Sequence, residues 1–322
     1  MTTIVKPQKY VAPNYHKYIP KKHSIHTHQF ATVPRTRYPK NCSYGIIPFR
    51  ISGAKKEKQY LMVRRAHSIA YVEFLRGKYS VTDADYVKKL VKHMTIDEIN
   101  RIRTLSFEQL WRELWPNMKD DDPSLEIKKW TEEQWKTILT STIDFPREKF
   151  YLLRIVSSSS LPSRNKTIPS IENIIENYLK STEPKWEEPE WEFSKGKKNV
   201  SKFHPEHMHC GKLVETNHDC AIREFEEETG LLRTQLQHVQ NAPTFHETFV
   251  GLNDMSFTNS YFIKYMNCDE TMASVDGFHC EEISELCWCN LSKCLQLIRP
   301  YHKEKQETVI QVSNWIEKHF RG

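Results

Sequence analysis

No stretch of this 322-residue chain approaches the roughly 20 uncharged apolar residues that a helix needs to cross a bilayer. The opening "MTTIVKPQKYVAPNYHKY" also lacks the apolar core of a secretory signal, so a cytosolic compartment is the default expectation and no membrane partner is expected. Cysteine is sparse: eight residues (Cys42, Cys210, Cys220, Cys268, Cys280, Cys287, Cys289 and Cys294) with no C-x-x-C pair. That excludes the disulfide framework of a small secreted domain and leaves reduced thiols as the simpler reading. Acidic residues are almost missing from the first 78 positions, where only Glu57 and Glu73 occur. Internal repeats and low-complexity tracts are missing too.

What is present fits a soluble protein of about two domains. Residues 1–40 interleave Lys, Arg and His with Tyr10, Tyr15, Tyr18, Phe30 and Tyr38, without apolar periodicity. They read as a basic N-terminal arm suited to a polyanion such as RNA, whose phosphates meet cations and whose bases stack on rings. A solvated arm with no specific partner is the alternative. The run "FHPEHMHC" gathers His204, His207, His209 and Cys210, with Cys220 further on. These are possible soft ligands for zinc, but the spacing matches no paired zinc module, and a polar surface loop is the simpler reading.

In residues 41–80, "CSYGIIPFRIS" and "KQYLMVRRA" read as a strand hairpin. Residues 81–185 are helical in pattern, an inserted all-helical region. Three stretches there, Thr95–Glu98, Ser106–Gln109 and Thr131–Gln134, have the form of a capping box. Leu110, Trp111, Leu114 and Trp115 form one apolar face, and Ile171, Ile174, Ile175, Tyr178 and Leu179 another, entered at Pro169. Strands return in residues 186–322, in "PEWEFSKGK", "TFHETFVGL", "NSYFIKYM" and "ELCWCNL", before a last helix, "KQETVIQVSNWIEKHF". The class expected is α+β, with helices inserted into it.

One helix is crowded with charge. "HDCAIREFEEETGL" carries Asp219, Glu224, Glu226, Glu227 and Glu228. Glu224, Glu227 and Glu228 share one stripe, and Ala221, Ile222 and Phe225 make an apolar stripe elsewhere. Like charges at this spacing destabilise an isolated helix, and a hard divalent cation would remove the cost.

From Glu215 onward the chain reads E-x7-R-E-F-E-E-E-T-G-L, which resembles the Nudix hydrolase signature G-x5-E-x7-R-E-U-x-E-E-x-G-U, with U apolar. Glu215, Arg223, Glu224, Phe225, Glu227, Glu228, Gly230 and Leu231 all match. Upstream the pattern departs, because the signature glycine would fall at His209. Gly211 with a shortened loop and Gly196 with a long insertion both compete for the place. Gly196 is preferred, giving a box over residues 196–231. Trp191, Phe193, Lys195, Gly196 and Lys197 are similar to a W-x-F-P-K-G-K strand end found in many Nudix enzymes, the mRNA-decapping ones among them, with Ser194 where proline is usual.

The flanking segments, from about Asn41 to Cys294, resemble the mRNA-decapping Nudix enzymes of large cytoplasmic DNA viruses, of the poxvirus, asfarvirus and mimivirus type. The resemblance implies a Nudix α/β/α sandwich and Mg²⁺ or Mn²⁺ held by Glu224, Glu227 and Glu228, with Glu228 catalytic. It gives Glu215, Arg223 and Gly230 structural roles in the box, with Arg223 orienting carboxylates. It implies phosphate contacts at Lys195 and Lys197. Among Glu281, Glu282 and Glu285, Glu282 matches best the downstream glutamate that is the general-base candidate. Tyr71 and Phe74, with Phe249 or Tyr261, are candidates to stack on a methylated cap. The implied reaction is hydrolysis of the cap triphosphate of mRNA, releasing 7-methylguanosine diphosphate and leaving 5′-monophosphate RNA, in the host cytoplasm if the chain is viral. A hydrolase of small diphosphates, such as nucleotides or diphosphoinositol polyphosphates, is the alternative. An RNA-binding protein without turnover is a third, opposed by the intact carboxylates.

Overall fold

In the computed structural model, which describes residues 41–53, 56–116, 146–155, 170–199, 215–267 and 280–320, β1 (Cys42–Ser52) is the spine of a mixed sheet. It runs antiparallel to β2 (Glu57–Arg65) and parallel to β7 (Ser256–Tyr265), from Cys42↔Thr258 to Phe49↔Tyr265. The short β5 (Gln237–His238) and the longer β6 (Phe245–Val250) lie antiparallel to β7. On the other side, β8 (Ile283–Cys289) is antiparallel to β2.

β1 and β2 pair with each other only between Phe49↔Tyr60 and Ser52↔Glu57. Their other ends part and admit a separate piece of chain. β3 (Trp191–Glu192) pairs with β2 at Val63 and Arg64, and β4 (Lys195–Gly196) pairs with β1 at Tyr44 and Gly45. Ile46 N–H donates to Ser194 O at 3.2 Å and Arg65 N–H to Glu190 O at 3.0 Å. The backbone groups freed by the split are thus paired again, as burial requires. The start of the box is thereby held inside the sheet.

Strand alternation sends neighbouring side chains to opposite faces. Ile47, Phe49, Tyr60 and Met62 pack with Cys294, Val309, Val312 and Ile316, from α8 (Leu291–Leu297) and α9 (Lys303–His319). Ile46, Leu61 and Val63 pack with Ala221, Ile222 and Phe225 of α7 (Asn217–Thr229). Helices therefore cover both faces. Among the described residues, no helix is long and apolar enough to cross a membrane.

Between β2 and β3 stand α1 (Ile69–Leu75), α2 (Ala84–His93), α3 (Ile96–Thr104), α4 (Phe107–Leu114), α5 (Pro146–Ile155) and α6 (Ile171–Lys180). They share a core that includes Tyr71, Phe74, Leu90, Ile99, Phe107, Leu110, Phe150 and Ile175. α1 precedes position 81 and belongs to this core. The boxes at Thr95–Glu98 and Ser106–Gln109 both form, while Thr131–Gln134 lies outside the described residues. Glu98 also accepts from Ser68 N–H and Ser68 Oγ–H, both at 2.7 Å, which ties the start of α3 to the start of α1. The observed class is α+β, with a mixed sheet and additional helices on its N-terminal side. The basic arm, residues 1–40, lies outside the described residues.

Candidate active site

α7 is fixed at both ends by its own sequence. Thr216 caps it by accepting Asp219 N–H at 3.0 Å, and Asp219 accepts Thr216 N–H at 3.4 Å. Gly230 closes the other end at φ 68°, in the left-handed region that glycine enters without steric cost. With Ala221, Ile222 and Phe225 buried against the sheet, Glu224 and Glu228 meet the segment that carries β4.

The Glu224 carboxylate lies against Gly196. A Cβ at Gly196 would come within 2.1 Å of Glu224 Cδ, so a residue without a side chain is what this approach takes. This contact supports Gly196 as the glycine facing the helix. Gly211 lies outside the described residues.

Arg223 explains how the acidic stripe is tolerated. Its Nε donates to Glu215 Oε1 at 2.8 Å, its Nη1 to Glu224 Oε1 at 2.7 Å and Glu227 Oε2 at 2.9 Å, and its Nη2 to Lys197 O at 2.9 Å. One guanidinium thus gathers three carboxylates and a carbonyl, its planar fork matching several acceptors at once. Glu226 turns elsewhere, to Arg233, whose Nε lies 3.0 Å from both its oxygens.

Glu228 is set apart by burial. It is 6% exposed and accepts Lys195 N–H at 3.0 Å. Burial pushes its carboxyl up to about 8; Glu192 and Glu224 push the same way, against Lys195. Burial also raises the Glu224 carboxyl, with Glu227 and Glu282 adding to the rise and Arg223 opposing it. At Glu215, burial is outweighed by the hydrogen bonds from Arg223 and from Asn199 N–H, and the carboxyl is lowered. Glu282 is exposed, its carbonyl accepts Ala66 N–H at 2.8 Å, and its charge reaches Glu224. Glu285 pairs instead with Arg64 at 2.9 Å.

Other sequence expectations are corrected. The Lys195 ammonium lies 2.5 Å from Glu192 Oε2, held by a buried carboxylate instead of being presented to a phosphate. The Lys197 side chain is exposed. Tyr71 and Phe74 are buried in the helical core, and Tyr261, on β7, is buried in the core on one face of the sheet with its hydroxyl donating to Glu247 at 3.1 Å. Rings with no face toward solvent do not sandwich a cap base, so these three are packing residues. Phe249 is half-buried and stacked on Phe257, with centroids 5.6 Å apart. His204, His207, His209 and Cys210 lie outside the described residues.

Beside the box lies a buried ionic cluster that the sequence does not announce. Glu192, 2% exposed, meets Arg65 at 3.0 Å, Lys195 at 2.5 Å and Lys305 at 3.2 Å. The available signal was a glutamate between Trp191 and Phe193 in an aromatic strand, since a charge in such a run needs partners. Two of its partners, Arg65 of β2 and Lys305 of α9, are far away in sequence, and the third, Lys195, is three residues on.

A divalent cation fits the donors chemically. They are hard carboxylate oxygens, two of them on groups whose ionisation burial opposes, so added positive charge would relieve both. Among the described residues, no three His, Cys, Asp or Glu side chains form a ready cation cage, and Arg223 bridges Glu224 and Glu227. The fit therefore rests on donor type and charge.

Residues 183–311 match the NUDIX domain model. A protein of Acanthamoeba polyphaga mimivirus, assigned provisionally by its name to mRNA decapping, is 29% identical over 258 residues, 80% of this chain and 65% of that protein. The chain thus spans just under two thirds of that relative. The mRNA-decapping protein g5R of African swine fever virus (isolate Warthog/Namibia) is 23% identical over 286 residues, 87% of this chain and 97% of g5R. Among solved structures, C. elegans Ap4A hydrolase aligns over 86% of this chain and 98% of its own, at 10% identity and a TM-score of 0.37, a likeness too weak to bear on function. Residues 183–311 thus form a Nudix domain, in a chain that is similar to the mimivirus protein provisionally named for mRNA decapping and to the African swine fever virus mRNA-decapping protein g5R.

Proposed function

We propose that this protein hydrolyses the triphosphate bridge of capped mRNA, releasing 7-methylguanosine diphosphate and leaving a 5′-monophosphate RNA. The observation that carries the hydrolytic half is the gathering of Glu215, Glu224 and Glu227 on Arg223, beside buried Glu228 and against Gly196. The choice of capped RNA rests on the relatives named for decapping.

Glu224, Glu227 and Glu228 would hold Mg²⁺ or Mn²⁺. Such an ion, when bound, neutralises phosphate charge and lowers the pKa of an attacking water. Arg223 and Glu215 keep the helix and the Lys197 carbonyl in register. Lys195 N–H and Gly196 set where Glu228 and Glu224 stand. Glu282, exposed and close enough to act electrostatically on Glu224, is the candidate to accept a proton from the water. The exposed Lys197 side chain is the phosphate-contact candidate that remains. The basic arm, residues 1–40, supplies the RNA contact on this reading. Deleting Met1–Tyr38 is expected to weaken RNA binding and flatten its salt dependence, measured by filter binding across a salt series.

The test is incubation of cap-labelled RNA with Mg²⁺ or Mn²⁺, with products resolved by thin-layer chromatography and with free cap dinucleotide and a diphosphoinositol as competing substrates. Release of 7-methylguanosine diphosphate from long RNA is the expected result. Hydrolysis of the small diphosphates with none from RNA would replace this reading by the other.

A further inference from the structure

The buried cluster around Glu192 connects the C-terminal helix to the box through a short series of contacts. Lys305, in the first turn of α9, is 4% exposed, and its Nζ lies 3.2 Å from Glu192 Oε2. The same oxygen of Glu192 meets Lys195 Nζ at 2.5 Å, and its other oxygen meets Arg65 Nη1 at 3.0 Å. Lys195 in turn gives its backbone N–H to Glu228 at 3.0 Å. Lys195 is therefore held at its ammonium by Glu192 while its amide holds Glu228. Beyond Lys305 stands a second buried carboxylate, Glu247, which accepts from Tyr261 OH at 3.1 Å and Asn259 Nδ2 at 3.3 Å. Glu247 and Glu192 both act electrostatically on Lys305.

Stability alone is a weak reason for such a cluster. Removing buried charges from water costs about as much as their attraction returns, and well-packed apolar replacements are often as stable or more so. The cluster does, however, supply geometry. β4 is two residues long and pairs with β1 at only two positions, so its own ladder is a slender hold on the backbone that faces α7. An ionic anchor on Lys195, itself braced from α9, is a second hold. Groups that fix the partners of metal-binding or catalytic side chains typically matter at about 10–100-fold.

We propose that Glu192 and Lys305 are positioning residues for Glu228, acting through the Lys195 backbone, so that α9 is a working part of the active site. The inference rests on the proposed metal-dependent hydrolysis. Its test compares wild type with Lys305→Met, Lys305→Arg and the charge-balanced double variant Glu192→Gln/Lys305→Met. The readouts are kcat and KM on capped RNA, Mn²⁺ affinity of the RNA-free protein by electron paramagnetic resonance, and melting temperature.

Lys305→Met is expected to lower kcat about 10–100-fold, with KM within about twofold and weaker Mn²⁺ binding. Lys305→Arg keeps the charge and is expected to recover most of kcat. The double variant removes one charge of each sign, folds, and stays impaired. If Lys305→Met does not fold, the double variant decides alone. A kcat and a Mn²⁺ affinity within twofold of wild type in folded variants, with only the melting temperature changed, would overturn the proposal. Should wild type cleave small diphosphates and not capped RNA, the decapping reading fails. The Mn²⁺ affinities and the kcat values on the small substrate then still decide the positioning role.

Discussion

Glu98 in the helical region and Glu228 in the box are both glutamates buried to within a few per cent, at 2% and 6% exposure. Their surroundings differ. Glu98 is surrounded by donors: Ser68 N–H and Ser68 Oγ–H at 2.7 Å each and Thr95 N–H at 2.8 Å. Glu228 has Lys195 N–H as its hydrogen-bond donor among the described residues, and the charges of Glu192 and Glu224 press on it. A buried carboxylate whose lone pairs are filled holds a fold together. One left short of donors and crowded by like charge is held ready for a partner.

The contrast is broken most sharply at Glu228. Glu228→Gln is expected to reduce cap hydrolysis by about 10³-fold, the scale of several kcal/mol of phosphoryl transition-state stabilisation. RNA affinity should stay within about twofold and the melting temperature should not fall, as single-turnover kinetics, filter binding and thermal melts would show. Glu98→Ala is expected to do the reverse. It leaves the Ser68 and Thr95 donors buried without an acceptor and removes half a capping box, a loss of about 2–4 kcal/mol in urea unfolding. The folded fraction should keep wild-type kcat/KM.

Gly196→Ala acts on the site without replacing a carboxylate. The new Cβ meets the end of the flexible Glu224 side chain, so the carboxylate moves while the backbone stays. Hydrolysis should fall about tenfold or more, with stability changed by less than about 1 kcal/mol. Melting curves beside initial rates check it.

The smallest effect lies at the acid end of the pH range. Burial opposes ionisation at Glu192, but Lys195, Lys305 and Arg65 outweigh it and hold the carboxyl well below the usual carboxylate range. A pKa lower in the folded than in the unfolded state contributes stability above the unfolded value, about 4.3. That contribution is lost as pH falls through the folded value. Wild-type melting temperature should therefore fall on acidification below about pH 4.3, and Glu192→Gln should fall less steeply over the same window.

The legible part of the molecule was the part encoded locally. The spacing of Glu224, Glu227 and Glu228 against Ala221, Ile222 and Phe225 marked the two stripes of α7, and the boxes at Thr95 and Ser106 marked helix starts. Three kinds of feature escaped. α8, of seven residues, is too short for apolar periodicity to declare itself. The entry of residues 191–196 between β1 and β2 is a long-range pairing that no window of sequence contains. Tyr71, Phe74 and Tyr261 have the residue type of a stacking site, and only tertiary packing shows that they are core. The same non-locality hid the partners of Glu192, since Arg65 and Lys305 flank it from 127 and 113 residues away.

The most direct measurement is Mn²⁺ binding by electron paramagnetic resonance to wild type, Glu98→Gln and Glu228→Gln in the absence of RNA. Expected are saturable binding to wild type, the same affinity in folded Glu98→Gln, and at least tenfold weaker binding in Glu228→Gln. Equal affinity in Glu228→Gln and wild type would contradict this, because Glu228 would then be a buried charge without the partner assigned to it.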